Sequence, residues 1–398
     1  MLGFASTTLP IHWTHTGRVG GLIRAIVQPP DEADGGELEV HLPGQPALRL
    51  PATRQPDGSL HLNIHTHLLP DGPGDIEVIL NGGKRAWRHR QAFEIHNPGT
   101  LAAQVREALT TAGVPVAFVG DCDAAMYERA QSHVTAWVDA PDAEARVDAM
   151  LAEGRIGTTE AEQLRRFLRD GFVILDEPLP EALIEQANAD IDRAVAEGYQ
   201  GYRYGDSTRL EQMHQQFPGI RGIWLHPPVH RMLSLIFGVP SQPCQSLVYV
   251  FGSQQDAHQD TVHLTPFPAG AMCGVWVALE DVRAGAGELV VYPGSHRLPR
   301  VYLKDVGCGK VRDGDWREFG EKVVGRWAQL IREHGLEPVP YLARRGQILI
   351  WHENLMHAGS VRRDPTLSRR SVVTHNFAQG AIVYYDSSGN VGYVYDGV

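Results

Sequence analysis

Beyond Cys244 the chain breaks into short apolar runs, and this constrains the fold more than any other feature of the sequence. The runs are Ser246 to Phe251, Ala257 to Leu264, Met272 to Leu279, Glu288 to Tyr292, Gln347 to Trp351 and Ser371 to Phe377. Each has strand length and Gly or Pro punctuates the gaps, with one more helical insertion around Trp316 to Glu333. Many short strands with few helices among them indicate a jelly-roll or cupin-like double-stranded β-helix.

The preceding sequence has a different rhythm. Leu38, Val40 and Leu42 alternate with polar neighbours, as do Leu60, Leu62 and Ile64, and Ile76 to Leu80 leads into the hairpin dipeptide Asn81-Gly82. Residues 1–97 therefore read as an immunoglobulin-like β-sandwich. His61, His65 and His67 share one strand parity, opposite the leucines, which puts them on the solvated face rather than in a zinc site. Residues 98–158 form a mixed helical connecting segment. Its Val116 to Val119 run ends at Gly120-Asp121, but no glycine-rich phosphate loop follows. Residues 159–398 then hold the β-helix domain and its flanking helices. Thr159 and Glu162 have capping-box spacing at the head of the first helix, and Pro180 opens a second. Tyr199 to Trp224 is irregular, aromatic and arginine-rich, the character of a substrate lid or of a solvated loop.

Length and charge narrow the function. A chain of 398 residues suits two or three packed units, and a net charge of -11 disfavours nucleic acid and anionic membrane surfaces as partners. Small molecules are the expected partners. The four cysteines, Cys122, Cys244, Cys273 and Cys308, have neither disulfide-framework nor C-x-x-C spacing. The start of the chain has no signal-peptide pattern and no later segment reaches the length of an apolar span, so a cytoplasmic protein without membrane insertion is expected.

The chemistry concentrates in Ala257-His258-Gln259-Asp260-Thr261. On one strand, His258 and Asp260 would face the same way about 7 Å apart along the backbone, so both could grip one ion. Two imidazoles and one carboxylate leave half of an octahedron open, the arrangement of non-haem Fe(II) oxygenases. The second imidazole must come from elsewhere, and His357 in Asn354-Leu355-Met356-His357-Ala358-Gly359-Ser360 is the candidate, with His352 competing. Further on, Arg369 and Ser371 share parity, so a guanidinium and a hydroxyl can converge on one carboxylate. The alternative makes Arg369 and Arg370 a solvated basic pair.

Five motifs together resemble the phytanoyl-CoA dioxygenase-like family of Fe(II)/2-oxoglutarate oxygenases. They are Asp170-Gly171-Phe172-Val173, His258-Gln259-Asp260, Gly287-Glu288-Leu289-Val290-Val291-Tyr292-Pro293-Gly294-Ser295-His296, Met356-His357-Ala358-Gly359-Ser360 and Arg369-Arg370-Ser371. Their order and spacing match over roughly residues 160–380, which leaves the sandwich uncovered. The resemblance implies iron ligation by His258, Asp260 and His357, with His357 preferred to His352 because it precedes the small-residue run. It implies that Arg369 and Ser371 hold the distal carboxylate of 2-oxoglutarate, and that Gln245 is a polar cosubstrate contact. The implied activity consumes O2, Fe(II) serving as cofactor, and hydroxylates an unactivated C–H of a small-molecule or glycan-like substrate, releasing succinate and CO2. A cupin-type metalloenzyme without 2-oxoglutarate and an inactive binding scaffold are the competing readings. Neither substrate nor oligomeric state is written in the sequence.

Overall fold

The computed structural model describes residues 7–31, 33, 36–82 and 85–395, and the protein is mainly β with helices. Two compact units divide it: residues 1–134 with 379–392, and residues 135–378 with 393–398. These limits differ from boundaries at 97 and 158. The reason lies in the connecting segment, where Ala117–Val119 pairs antiparallel with Leu60–His65 and so joins the first unit. Residues 1–6, where the absence of a signal-peptide pattern was read, lie outside the described residues.

In the first unit, one sheet carries Thr7–Thr8, Arg85–Ile95, Gly72–Gly82, Glu37–His41 and Leu48–Pro51 in that order. A second runs Ala117–Val119, Leu60–His65, Leu22–Val27, Ile11–Trp13. Alternation explains the packing: Leu38, Val40, Leu60, Leu62, Ile64, Ile76, Val78 and Leu80 point between the sheets into one core. Asn81 and Gly82 are still paired strand residues, opposite Ala86 and Arg85, and the turn beyond them lies outside the described residues.

The histidine expectation in this unit is corrected. His65 and His67 are fully buried, and His67 lies in a 3-10 turn rather than on the strand. Pro115 O and Tyr127 Oη lie 2.8 Å from the two ring nitrogens of His65, and Gly380 O lies 2.8 Å from His67 Nε2. Burial pushes both imidazoles down to about 4, so they are neutral packing groups. Residues distant in sequence cover the face that alternation alone assigns to solvent.

The second unit is built on an antiparallel six-stranded sheet. Its order is Phe172–Ile174, Ile348–His352, Met272–Ala278, Ser371–Ala378, Ser241–Tyr249, Leu210–Glu211. A smaller antiparallel sheet runs Val339–Tyr341, Leu289–Val291, His357–Gly359. Leu247, Tyr249, Trp276, Leu349, Trp351 and Val373 of the large sheet share a core with Leu289 and Val291 of the small one. The opposite parity of the large sheet, including Val248, Val275, Val277, Ile348, Ile350 and Val372, packs in the core cluster with helices Thr158–Asp170, Glu181–Ala196, Pro218–Trp224 and Pro227–Phe237. Strands buried on both faces explain why these runs are almost wholly apolar. The first helix starts at Thr158, one residue before the expected Thr159; its N-cap is Gly157, whose N–H donates to Glu160 at 3.0 Å.

Candidate metal and dicarboxylate site

Register on the large sheet sets out the site in rows across its inner face. Tyr249, Ser371 and Ala278 are opposite one another in one row; Leu247, Val373, Trp276 and Leu349 make the next; Gln245, His375, Gly274 and Trp351 make the third. Ser371 and His375 are four residues apart on one strand, roughly 13 Å.

His258 does not share a strand with Asp260, contrary to expectation. It forms an isolated antiparallel bridge with His357, each backbone N–H donating to the other's carbonyl at 3.0 and 3.1 Å. Asp260 then opens the 3-10 turn Asp260–Val262. The bridge places the two imidazoles side by side, ring centroids 4.2 Å apart, and the turn swings the carboxylate back to them. Asp260 Oδ1 lies 3.6 Å from His258 Nε2 and 3.8 Å from His357 Nε2. One ligand atom from each of these three buried residues lies within 4.8 Å of the others.

The second contacts fix how these groups face the centre. His258 Nδ1 lies 2.8 Å from Asp256 O and His357 Nδ1 lies 3.0 Å from Leu355 O, which assigns the proton to Nδ1 and leaves each Nε2 lone pair open. Trp351 Nε1 donates to Asp260 Oδ2 at 2.8 Å, and His375 Nε2 is 3.5 Å from the same oxygen. Burial, helped by the neighbouring His357, pushes His258 down to about 3, so it is neutral at physiological pH. Burial works against the Asp260 carboxylate, yet His357, His375 and His258 hold it well below the ordinary range. Two imidazoles and a carboxylate are a donor set suited to a divalent iron ion.

Toward the far end of the strand, Arg369 is 2% exposed, and among the described residues no carboxylate lies within ion-pair distance of it. Its guanidinium carbon lies 5.6 Å from both the Tyr249 and Trp276 rings, and burial lowers it to about 10. Among the described residues, the buried Arg369 Nε, Ser371 Oγ and Trp276 Nε1 have no hydrogen-bond partner. Buried donors are rarely left without acceptors, so this trio fits a bound group rich in oxygen lone pairs. Arg370 faces the other way, with Nη2 at 2.6 Å from Asp192 Oδ1. Gln245 reaches the centre indirectly, its Nε2 3.0 Å from His375 Nδ1.

His352 is packed in a different network. Its Nε2 lies 3.3 Å from Asp139 Oδ1 and its Nδ1 3.3 Å from Glu353 Oε2. Arg300 joins both acids, at 2.9 Å from Glu353 and 2.8 Å from Asp139. The Glu353 carbonyl accepts from Asp260 N–H at 3.0 Å, so the charged cluster backs the turn that carries Asp260.

Sequence reading missed Trp351, His375 and Trp276. Each stands on an apolar strand whose composition alone marks it as core, and only the row register brings it to the site. The expected lid carries Tyr204, 65% exposed, with its ring 5.2 Å from Phe251.

Comparison with known proteins adds an independent finding. The family described as Phytanoyl-CoA dioxygenase (PhyH) matches residues 167–371, more than half of the chain. "Phytanoyl-CoA dioxygenase domain-containing protein 1" of Mus musculus is 26% identical over 186 residues, covering 45% of this chain and 58% of that protein. Its Bos taurus counterpart is 31% identical over 128 residues, covering 32% of this chain and 39% of that protein. Among solved structures, the non-heme alpha ketoglutarate dependent carbocyclase SnoK from nogalamycin biosynthesis aligns with a TM-score of 0.44 at 18% identity, covering 56% of this chain and 85% of that one. EctD from S. alaskensis with bound Fe aligns with a TM-score of 0.44 at 19% identity, covering 56% and 79%.

Proposed function

Because the chain belongs to the phytanoyl-CoA dioxygenase (PhyH) family, we propose that it is an Fe(II)/2-oxoglutarate-dependent dioxygenase that hydroxylates an unactivated C–H bond of a small-molecule or glycan-like substrate. The observation that carries this reading is the buried guanidinium of Arg369, which among the described residues has no carboxylate within ion-pair distance, on the same sheet face that leads to the His258, Asp260 and His357 cluster. A metalloenzyme that used no dicarboxylate would have no need of it.

His258, Asp260 and His357 would hold the iron, which with 2-oxoglutarate and O2 supplies an oxidant able to break a C–H bond, leaving succinate and CO2. Arg369 and Ser371 bind the distal carboxylate, the guanidinium by charge and the hydroxyl by a hydrogen bond. Trp276, whose ring lies 5.6 Å from the Arg369 guanidinium carbon, offers Nε1 as a third donor without a partner among the described residues. Asp256 O and Leu355 O engage Nδ1 of His258 and His357, which leaves each Nε2 to face the metal. Trp351 and His375 hold the second oxygen of Asp260 and orient the first. Tyr249, Trp276 and Leu247 exclude water around the cosubstrate. Of the stretch Tyr199 to Trp224, the part around the exposed Tyr204 would serve as the substrate lid, whereas Met213, Phe217, Ile220 and Ile223 are buried in the core and form no part of it.

The immunoglobulin-like character of the sandwich belongs to the same reading. It is supported by the order of its strands, with Thr7–Thr8 parallel to the last strand Arg85–Ile95 and Ile11–Trp13 antiparallel to Leu22–Val27 in the other sheet. The cysteine spacing supports a reducing, cytoplasmic setting.

The test is O2-dependent succinate release from 2-oxoglutarate across a panel of candidate substrate classes. One class should accelerate it in the wild type, and His357→Ala should abolish it. Equal succinate from both proteins would overturn the assignment.

A further inference from the structure

The middle residue of the H-x-D motif is fully buried, and its side chain uses every hydrogen-bonding position it has. Gln259 Oε1 accepts from Trp327 Nε1 at 2.9 Å and from Val301 N–H at 3.2 Å. Its Nε2 donates to Pro299 O at 3.1 Å and, more weakly, to Asn354 O at 3.5 Å. An amide offers two acceptor positions and two donors, and here all four are taken. No other uncharged side chain of that size presents two acceptor positions together with two donors.

These partners lie on different elements. Trp327 belongs to Gly325–Glu333, the last helix of the insertion that begins near Trp316; Pro299 and Val301 precede the insertion; Asn354 lies three residues before His357. The insertion meets the ligand turn at a second place. The His263 ring lies 5.1 Å from Phe319, 5.7 Å from Trp316 and 6.3 Å from Trp327, and His263 N–H donates to Asp260 O at 2.8 Å. Trp316 is 48% exposed, so this aromatic series runs from solvent to Trp327, 6.3 Å from the His258 ring.

We propose that Gln259 is a positioning residue that couples the helical insertion to the metal ligands, so that the order of Gly325–Glu333 and the affinity of the His258, Asp260 and His357 site rise and fall together. The inference rests on the iron-site reading above. Coupling between two equilibria is reciprocal, so it is readable from either side. A metal ion should tighten the helix, and loosening the helix should weaken the metal.

Co(II) serves as the probe, with its visible absorption reporting the ligand set and amide hydrogen exchange reporting the helix, both without turnover. In the full-length wild type, Co(II) should slow exchange across Gly325–Glu333. Gln259→Met, which keeps the volume and loses all four hydrogen bonds, should bind Co(II) about 10–100-fold more weakly with an altered spectrum, the range seen when outer partners of a metal ligand are removed. At saturating Co(II) it should no longer protect the helix. Trp327→Phe keeps the ring and Gln259 but removes one bond; it should show the same loss of protection with an affinity fall of about threefold or more. It also carries the comparison if Gln259→Met does not fold. Wild-type affinity, spectrum and helix protection in Trp327→Phe would overturn the coupling. A wild type whose Co(II) binding is unaffected by His258→Ala would instead overturn the metal site beneath it.

Discussion

His352 and His357 are five positions apart, both buried, and their surroundings give them opposite jobs. His357 faces Asp260 and His258, whereas His352 sits between Asp139 and Glu353. His258→Ala or His357→Ala should lower Fe(II) affinity by more than the ~100-fold typical of outer contacts, while His352→Ala should keep most of it; anaerobic metal titration reads the difference. Burial opposes charge on His352, but Glu353 and Asp139 raise its pKa above 6.5, with Arg300 and the nearby His296 ring working against them. A raised folded pKa stabilises the protonated form. Its contribution is full below the unfolded value of about 6.5 and is lost as pH rises through the folded value. The melting-temperature gap between wild type and His352→Gln should therefore narrow with rising pH through that window; a constant gap would refute it. Arg369→Ala should weaken 2-oxoglutarate binding by about 2–5 kcal/mol with metal still bound, the cost of unpairing a buried charge. Arg370→Ala, which breaks a surface pair with Asp192, should leave it unchanged by calorimetry. The grouping of His258, Asp260 and His357 and the burial of Arg369 were legible because residue type and motif order single those residues out. His375 and Trp276 were not, since their partners stand on other strands.

At the level of elements, one glycine decides how the large sheet meets the metal turn. A Cβ on Gly274 would lie 2.1 Å from Cε2 and Cζ2 of Trp351, the indole that donates to Asp260. Gly274→Ala should therefore displace the indole, destabilise the protein by about 1–3 kcal/mol and weaken metal binding. Urea denaturation and Co(II) titration check the two effects separately. Four of the apolar runs marked their strands within a residue or two, as with Met272–Ala278 and Ser371–Ala378, because both faces of those strands are buried, whereas Ser246 to Phe251 caught only the later part of Ser241–Tyr249. Ala257 to Leu264 failed as a strand for a physical reason: its polar groups serve the site, and it spends only His258 on pairing before turning at Asp260. Alternation reports burial on average, and at this stretch burial comes from the His258, Asp260 and His357 cluster and the insertion rather than from a sheet.

At the scale of the molecule, the least legible feature is that the first unit recruits residues 379–392. The fully buried Arg24 holds them: Nη2 donates to Gly389 O at 2.6 Å and Nη1 to Asn390 Oδ1 at 2.9 Å, while Nε donates to Asn63 at 2.7 Å. Asp386 also accepts from Ala124 N–H at 3.0 Å. No local pattern in 379–392 names its destination, because the contact is between opposite ends of the sequence. Ending the chain at residue 378 should destabilise the sandwich by about 2–5 kcal/mol through loss of the hydrogen bonds from Arg24. A lowered urea midpoint and faster proteolysis within 7–134 would show it; an unchanged midpoint would contradict it. The same arrangement imposes a schedule on synthesis. A ribosome adding ~5–20 residues per second leaves the sandwich waiting on the order of ten to fifty seconds for its closing segment, while residues 135–378 emerge. During that interval the hydrogen bonds from Arg24 to Gly389 and Asn390 have yet to form, so the nascent sandwich stays open to solvent where they close it.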